Sequence, residues 1–215
     1  MVNAVADIQA ASPAKTRIAL LDAACSLLRE GDTLDFSLSE IGKTAGISAA
    51  LVKYYFGNKR GLLIALVDRD ATSALAAFVS LLDEPMPAAK KLRYHITGVI
   101  KTYSRYPYLA RLVNALIRDS HPAEAKELTD RFVKPMADAY DRLIKDGVAA
   151  GEFNPLDPMT FYFMVVGLTQ DIFASRAVLK HCFGVDELTP AQINSFSEQA
   201  CRVLLNGISA KMPQI

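Results

Sequence analysis

Residues 36–59 read FSLSEIGKTAGISAALVKYYFGNK, and the order of caps and apolar positions within them decides the fold. Ser37 and Glu40 stand three apart as an S-x-x-E capping box, which opens a helix at Leu38. Leu38, Ile41 and Ala45 then share one face at helical spacing. Gly46 falls where that helix must end in a left-handed turn, a conformation only glycine adopts without steric cost. Ser48 is placed to cap a second helix over 49–56, and Asn58 to cap a third. Two short helices around a three-to-four-residue turn containing Gly make a helix-turn-helix.

The local charge fits a nucleic-acid footprint. Between Ile41 and Val67 the cations are Lys43, Lys53, Lys59 and Arg60, with no Asp or Glu among them. Over the whole chain the balance is only +1, so the basic patch is local and small. One copy of such a patch binds DNA weakly, and useful affinity requires two copies or close geometric fit.

At this point the residues resemble the TetR/AcrR-type bacterial transcriptional regulators. The resemblance covers about residues 15–65 and rests on IALLDAACSLL, FSLSEIGKTAGIS and ALVKYYFGNKRGLL. The register of Gly46-Ile47-Ser48, Tyr55-Phe56 and Asn58-Lys59 before Leu62-Leu63 makes it specific. It implies an all-α protein with an N-terminal helix-turn-helix head and a C-terminal helical body for ligand binding and dimerisation. The expected partners are a palindromic double-stranded DNA operator, a small, largely apolar effector and a second copy of the chain. The expected outcome of effector binding is release of a repressor, in the cytoplasm and with no cofactor; a ligand-independent regulator or activator is the alternative.

Carried over by position, Thr44 and Ser48 would lie against DNA backbone or base edges. Ala49 and Ala50 would face the major groove, where small side chains permit close approach and contact with thymine methyls. Tyr55 and Lys59 match the phosphate-contacting pattern, which sets register rather than sequence. Lys53 and Tyr54 stand where many members carry Tyr and His, so these two positions bear on operator choice. Plainer readings stand beside these: Ser48 as a cap alone, Thr44 as an ordinary helix residue, Phe56 as core, and Lys43 and Arg60 as solvated surface.

Further along, Ser12-Pro13 opens a first helix in which Ile18, Leu21, Cys25 and Leu28 form the inner face, ended by Gly31. The helix from Asn58 runs to about Leu82, and Glu84-Pro85-Met86-Pro87 breaks it. Helices follow over 88–104, 107–119, 122–150 with a kink at Pro135, 159–182, and 191–208, about nine in all. The expected division is a flexible arm over 1–11, the head over 12–57 and the body over 58–215, joined by the helix from Asn58.

The segment 159–182 is apolar nearly all round, from Phe161 through Leu168, and such a helix needs neighbours on more than one side. With the last helix it would form the four-helix dimer interface that the resemblance implies, through Phe163, Val166, Phe196 and Val203. Its unbroken apolar run of ten residues is far short of the roughly 20 needed to span a bilayer. Among polar groups set in apolar surroundings, Tyr103, Arg118 and Gln170 are the candidate effector contacts. A closed cavity of several hundred Å3 would favour a ligand. The cysteines Cys25, Cys182 and Cys201 are far apart and without His at metal-ligand spacing, and no hydrolase, nucleotide-loop or zinc-protease motif occurs. The chain therefore reads as a non-enzyme without a metal.

Overall fold

The computed structural model describes residues 12–31 and 34–210, and among these the fold is all-helical. The proposed arm over 1–11 lies outside the described residues. Three short helices make the head: α1 (Pro13–Glu30), α2 (Leu38–Ala45) and α3 (Ala49–Phe56). The connecting helix α4 (Lys59–Leu82) leads into a body of α5 (Ala88–Arg105), α6 (Leu109–Arg118), α7 (Pro122–Phe132) and α8 (Lys134–Ala149). It is completed by α9 (Pro158–Ala174), α10 (Arg176–Phe183) and α11 (Pro190–Ile208). An isolated bridge between Phe153 and Ser209 fastens the loop before α9 to the end of α11.

Eleven helices among the described residues, rather than about nine, follow from two breaks. Pro135 cannot donate an amide hydrogen bond to residue 131, and the chain leaves regular helix at Val133, splitting the expected 122–150 helix into α7 and α8. The expected 159–182 helix divides at Ser175, where φ is −97° and ψ 48°, and the Ser175 hydroxyl donates to Asp171 Oδ1 at 3.3 Å. A side chain that hydrogen-bonds within its own helical turn competes with the backbone ladder there. The inner face of α1 is also rotated from the expected one: Leu20, Leu21, Ala24 and Leu28 are buried, whereas Ile18 is exposed.

Two hydrophobic cores result. One gathers Leu20, Leu28, Ile41, Val52, Leu62 and Leu66 of the head and extends to Tyr108, Leu112, Leu116 and Leu128 of the body. The other packs α4 and α5 against α8, α9 and α11, with Phe78, Ile96, Tyr140, Phe161 and Leu204 at its centre. The head is thus seated on α6 and α7 by buried apolar surface, each large side chain contributing on the order of 1.5–3 kcal/mol. Polar ties reinforce that seat. Tyr108 donates to the buried Asp70 carboxylate at 2.6 Å, Arg69 Nε reaches the same carboxylate at 2.7 Å, and Arg69 also pairs with Asp22 of α1. Burial, then the bond to Asp70, pushes the Tyr108 hydroxyl upward, so it remains a donor.

Candidate DNA-binding surface and effector cavity

The helix-turn-helix is built as its caps dictate. Ser37 Oγ accepts from the Glu40 amide at 3.1 Å, while Glu40 Oε2 accepts from the Ser37 amide at 2.7 Å, completing the capping box. These bonds hold the Glu40 carboxyl below its usual range. Gly46 ends α2 in the left-handed region at φ 67°. A further requirement escaped the sequence reading: a Cβ on Gly42 would stand 2.5 Å from the Ile47 carbonyl oxygen and 3.2 Å from the Ala49 amide. The two helices cross at backbone contact, and a glycine before the turn is the signal for it. Ser48 and Asn58 cap their helices by accepting from Leu51 at 3.4 Å and Gly61 at 2.8 Å.

Helix α3 buries Val52 against the head core and turns its other side outward. Thr44, Ser48, Ala49, Ala50, Lys53 and Tyr54 are all exposed, with Tyr54 80% accessible. Within α3, positions 49, 50, 53 and 54 fall on one face by their three-to-four-residue spacing. Tyr55 is half-buried, edge-on to Tyr54 at 5.3 Å and packed against the head core. Lys59 is set apart from the group: its Nζ lies 4.6 Å over the Phe36 ring and 3.9 Å from Asp35. It lines a cleft between head and body.

Arg60 is not solvated surface. Its Nε donates to Glu124 at 2.7 Å, and its terminal nitrogen donates to the Leu116 carbonyl at 2.8 Å and to Ser120. Arg60 therefore bolts the first turn of α4 to the end of α6 and the start of α7. On the other side, Arg176 of α10 donates to the Arg29 carbonyl and Arg111 of α6 to the Gly31 carbonyl at 3.5 Å, gripping the end of α1. These arginines were illegible as struts because their partners lie more than 50 residues away in sequence.

The body holds a cavity of about 110 Å3 between α4, α5, α6, the end of α7, α8 and α9. Its wall includes Ala74, Val99, Val113, Phe132 and Met136, with Tyr103, Tyr140, Tyr162, Thr102 and Asn114 as its polar residues. Tyr140 and His95 Nε2 share a 2.7 Å hydrogen bond, and the His95 ring stacks 3.6 Å from that of Phe78. Burial pushes His95 down to about 3, so the ring is neutral at pH 7. Burial also raises the Tyr103 hydroxyl, with Tyr162 adding to it.

Of the three candidate effector residues, Tyr103 lines this cavity. Arg118 and Gln170 line a separate, open cleft of about 730 Å3 with Asp35, Lys59 and Asp171. Of the four candidate interface residues, Phe163 and Val203 are exposed at 66% and 60%. Val166 turns inward onto the cavity, and Phe196 packs half-buried against Phe173 at 6.2 Å between ring centroids. Periodicity could not separate the two sides of a helix that is apolar all round. Among the described residues, no helix is long and apolar enough to cross a membrane.

An exposed, cation-bearing second helix of a helix-turn-helix, set on a helical body, defines a DNA-binding transcription regulator of the helix-turn-helix class. Residues 20–66 match the family described as bacterial regulatory proteins, tetR family, and residues 85–214 match the tetracyclin repressor-like C-terminal domain. The chain belongs to the TetR family.

Among its relatives, the HTH-type transcriptional regulator RutR of Escherichia coli (strain K12) is 25% identical over 190 residues, 88% of this chain and 89% of that one. Among solved structures, the fatty acid degradation regulator FadR from Bacillus halodurans superposes with a TM-score of 0.69 at 21% identity, covering 92% of this chain and 97% of that one. FadR from Bacillus subtilis in complex with stearoyl-CoA gives a TM-score of 0.67 at 21% identity, over 89% and 98% of the two chains. At these identities the structural likeness speaks for the fold.

Proposed function

We propose that this regulator is a homodimeric repressor, acting in the cytoplasm, that a small and largely apolar effector releases from a palindromic operator. The observation that carries the reading is the double duty of α6. Leu112 and Leu116 on one side of it belong to the head's core, while Ala110 and Val113 on another wall the cavity. A ligand that displaces α6 therefore moves the seat of the head, and Arg60 transmits the shift because it is bonded to the Leu116 carbonyl. The free energy available for release is the ligand's differential affinity for the two conformers.

For DNA, Lys53 and Tyr54 are the specificity-bearing pair, Thr44, Ser48, Ala49 and Ala50 the close-contact surface, and Tyr55 a phosphate ligand. Lys59, engaged with Phe36 and Asp35, reaches phosphate only by leaving them. Pairing of two copies uses the exposed apolar side of α9 and α11, where Met159, Phe163, Met164 and Val203 lie open. The protein acts by binding and not by catalysis. The small volume of the cavity favours one competing reading, a regulator that needs no ligand.

An operator fragment selected from genomic DNA, challenged with a metabolite collection, separates the two. The repressor reading expects compounds that release wild-type protein and fail on Val113→Phe, which fills the cavity. Equal release of Val113→Phe would remove the cavity from the mechanism, and release by no compound would favour the ligand-independent regulator.

A further inference from the structure

The body cavity, at about 110 Å3, is well below the roughly 300–1,000 Å3 of ordinary small-molecule sites, whereas the head–body cleft, at about 730 Å3, lies within that range. The two are joined by residue rows. On α6, Ala110 lines the cavity, Asn114 lines both spaces and Arg118 lines the cleft. On α9, Tyr162 and Val166 line the cavity, and Gln170 and Ala174 line the cleft. Positions four apart stack along one face of a helix, so each row is a continuous strip leading from cavity to cleft. The α6 strip runs from Ala110 to the charged Arg118 with Asn114 shared by both spaces, and the α9 strip places the Gln170 amide at its first position in the cleft.

We propose that cavity and cleft are the two halves of one site, and that its ligand is a single-chain amphiphile. Its apolar limb lies among Tyr103, Tyr162 and Val113, and its polar end lies in the cleft beside Arg118, Gln170 and Lys59. The inference rests on the ligand-responsive reading above and gives that reading a chemical class. Among the described residues no Lys, Arg, Asp or Glu lines the cavity, so a charged group meets no counter-ion there and belongs in the cleft. In the cleft, Arg118 pairs with the exposed Asp119 at 2.9 Å. Exposed pairs of this kind exchange partners at little cost. The polar end would also touch Asp35 of the head and Lys59 at the start of α4 directly, so occupancy acts on the head as well as on α6.

The test uses the full-length protein and straight-chain compounds of four to twelve carbons ending in a carboxylate, a hydroxyl or a trimethylammonium group. Acetate and cyclohexane serve as the isolated halves. Tyrosine fluorescence and release of the operator fragment are read together.

The bipartite site expects affinity to rise roughly fourfold per methylene until the cavity is full, with neither half-compound binding alone. It also expects Arg118→Ala and Gln170→Ala to change the ranking of end groups at fixed chain length by tenfold or more. Val113→Phe should shorten the chain at which affinity stops rising. Thermal melts of all three variants check that they fold.

Binding of cyclohexane as tight as that of the chains, or an end-group ranking unmoved in both cleft variants, overturns the bipartite site while leaving the cavity a ligand site. Failure of every chain compound to bind also overturns it. If the metabolite collection then releases no DNA either, the ligand-responsive reading fails as well.

Discussion

Lys53 combines an exposed side chain, a place on the outward face of α3 and a stretch without acidic neighbours. Lys53→Ala should weaken operator binding, and across two copies it should flatten the salt dependence by about two units of log–log slope while leaving the fold intact. Unchanged affinity and slope in a salt titration would exclude Lys53 as a DNA contact. His95 offers a test away from DNA. Its folded-state value of about 3 lies below the roughly 6.5 of an unfolded histidine, so between these values the unfolded chain binds the extra proton. Stability is therefore full above about pH 6.5 and falls as pH drops towards 3, by about 2 kcal/mol at pH 5 from this residue. Urea unfolding of wild type and His95→Phe at pH 7.5 and 5 should show that part of the pH dependence vanish in the variant. An equal loss in both would assign it to other groups.

At the scale of elements, the helix-turn-helix was legible because its information is local. Ser37, Glu40, Gly46, Ser48 and Asn58 each act within four residues of their own position. Gly42 was overlooked since its constraint arises from the crossing of α2 and α3, which no periodicity reports. Pro135 was read as a kink and instead stands in the first turn of a new helix, α8; Ser175 carried no recognisable stop signal. The head–body struts are legible only in three dimensions, and Arg60 is the plainest case: in sequence it extends a basic patch, and in the fold it joins α4 to α6 and α7. Arg60→Ala should cost about 1.5–3 kcal/mol, since hydrogen bonds to a charged group are lost. For a chain of this size that is a fall in Tm of several degrees. Because Arg60 ties α4 to the Leu116 carbonyl of α6, the variant should also need more effector than wild type for release of DNA. A variant with lowered Tm and an unchanged release curve would leave Arg60 as a structural brace alone.

At the scale of the whole molecule, the proposed regulation joins a weak DNA-binding patch to its twin through surfaces more than 100 residues away. The segment 159–182 announced an apolar helix with two sides to cover, and the fold divides those sides: Phe161, Val165 and Phe173 inward to the core, Val166 to the cavity, Phe163 and Met164 to solvent. Phe163→Asp, at an exposed position, should leave the monomer folded and shift sedimentation from dimer to monomer. A variant that sediments as a stable dimer would remove this face from the interface. The most direct test of the account is the stoichiometry and affinity of binding to a genomically selected operator, followed by fluorescence anisotropy across a salt series. The account predicts an even number of chains per palindromic site, steep salt dependence, and at least a hundredfold loss of affinity in Phe163→Asp. One chain binding one half-site with undiminished affinity in that variant would contradict it.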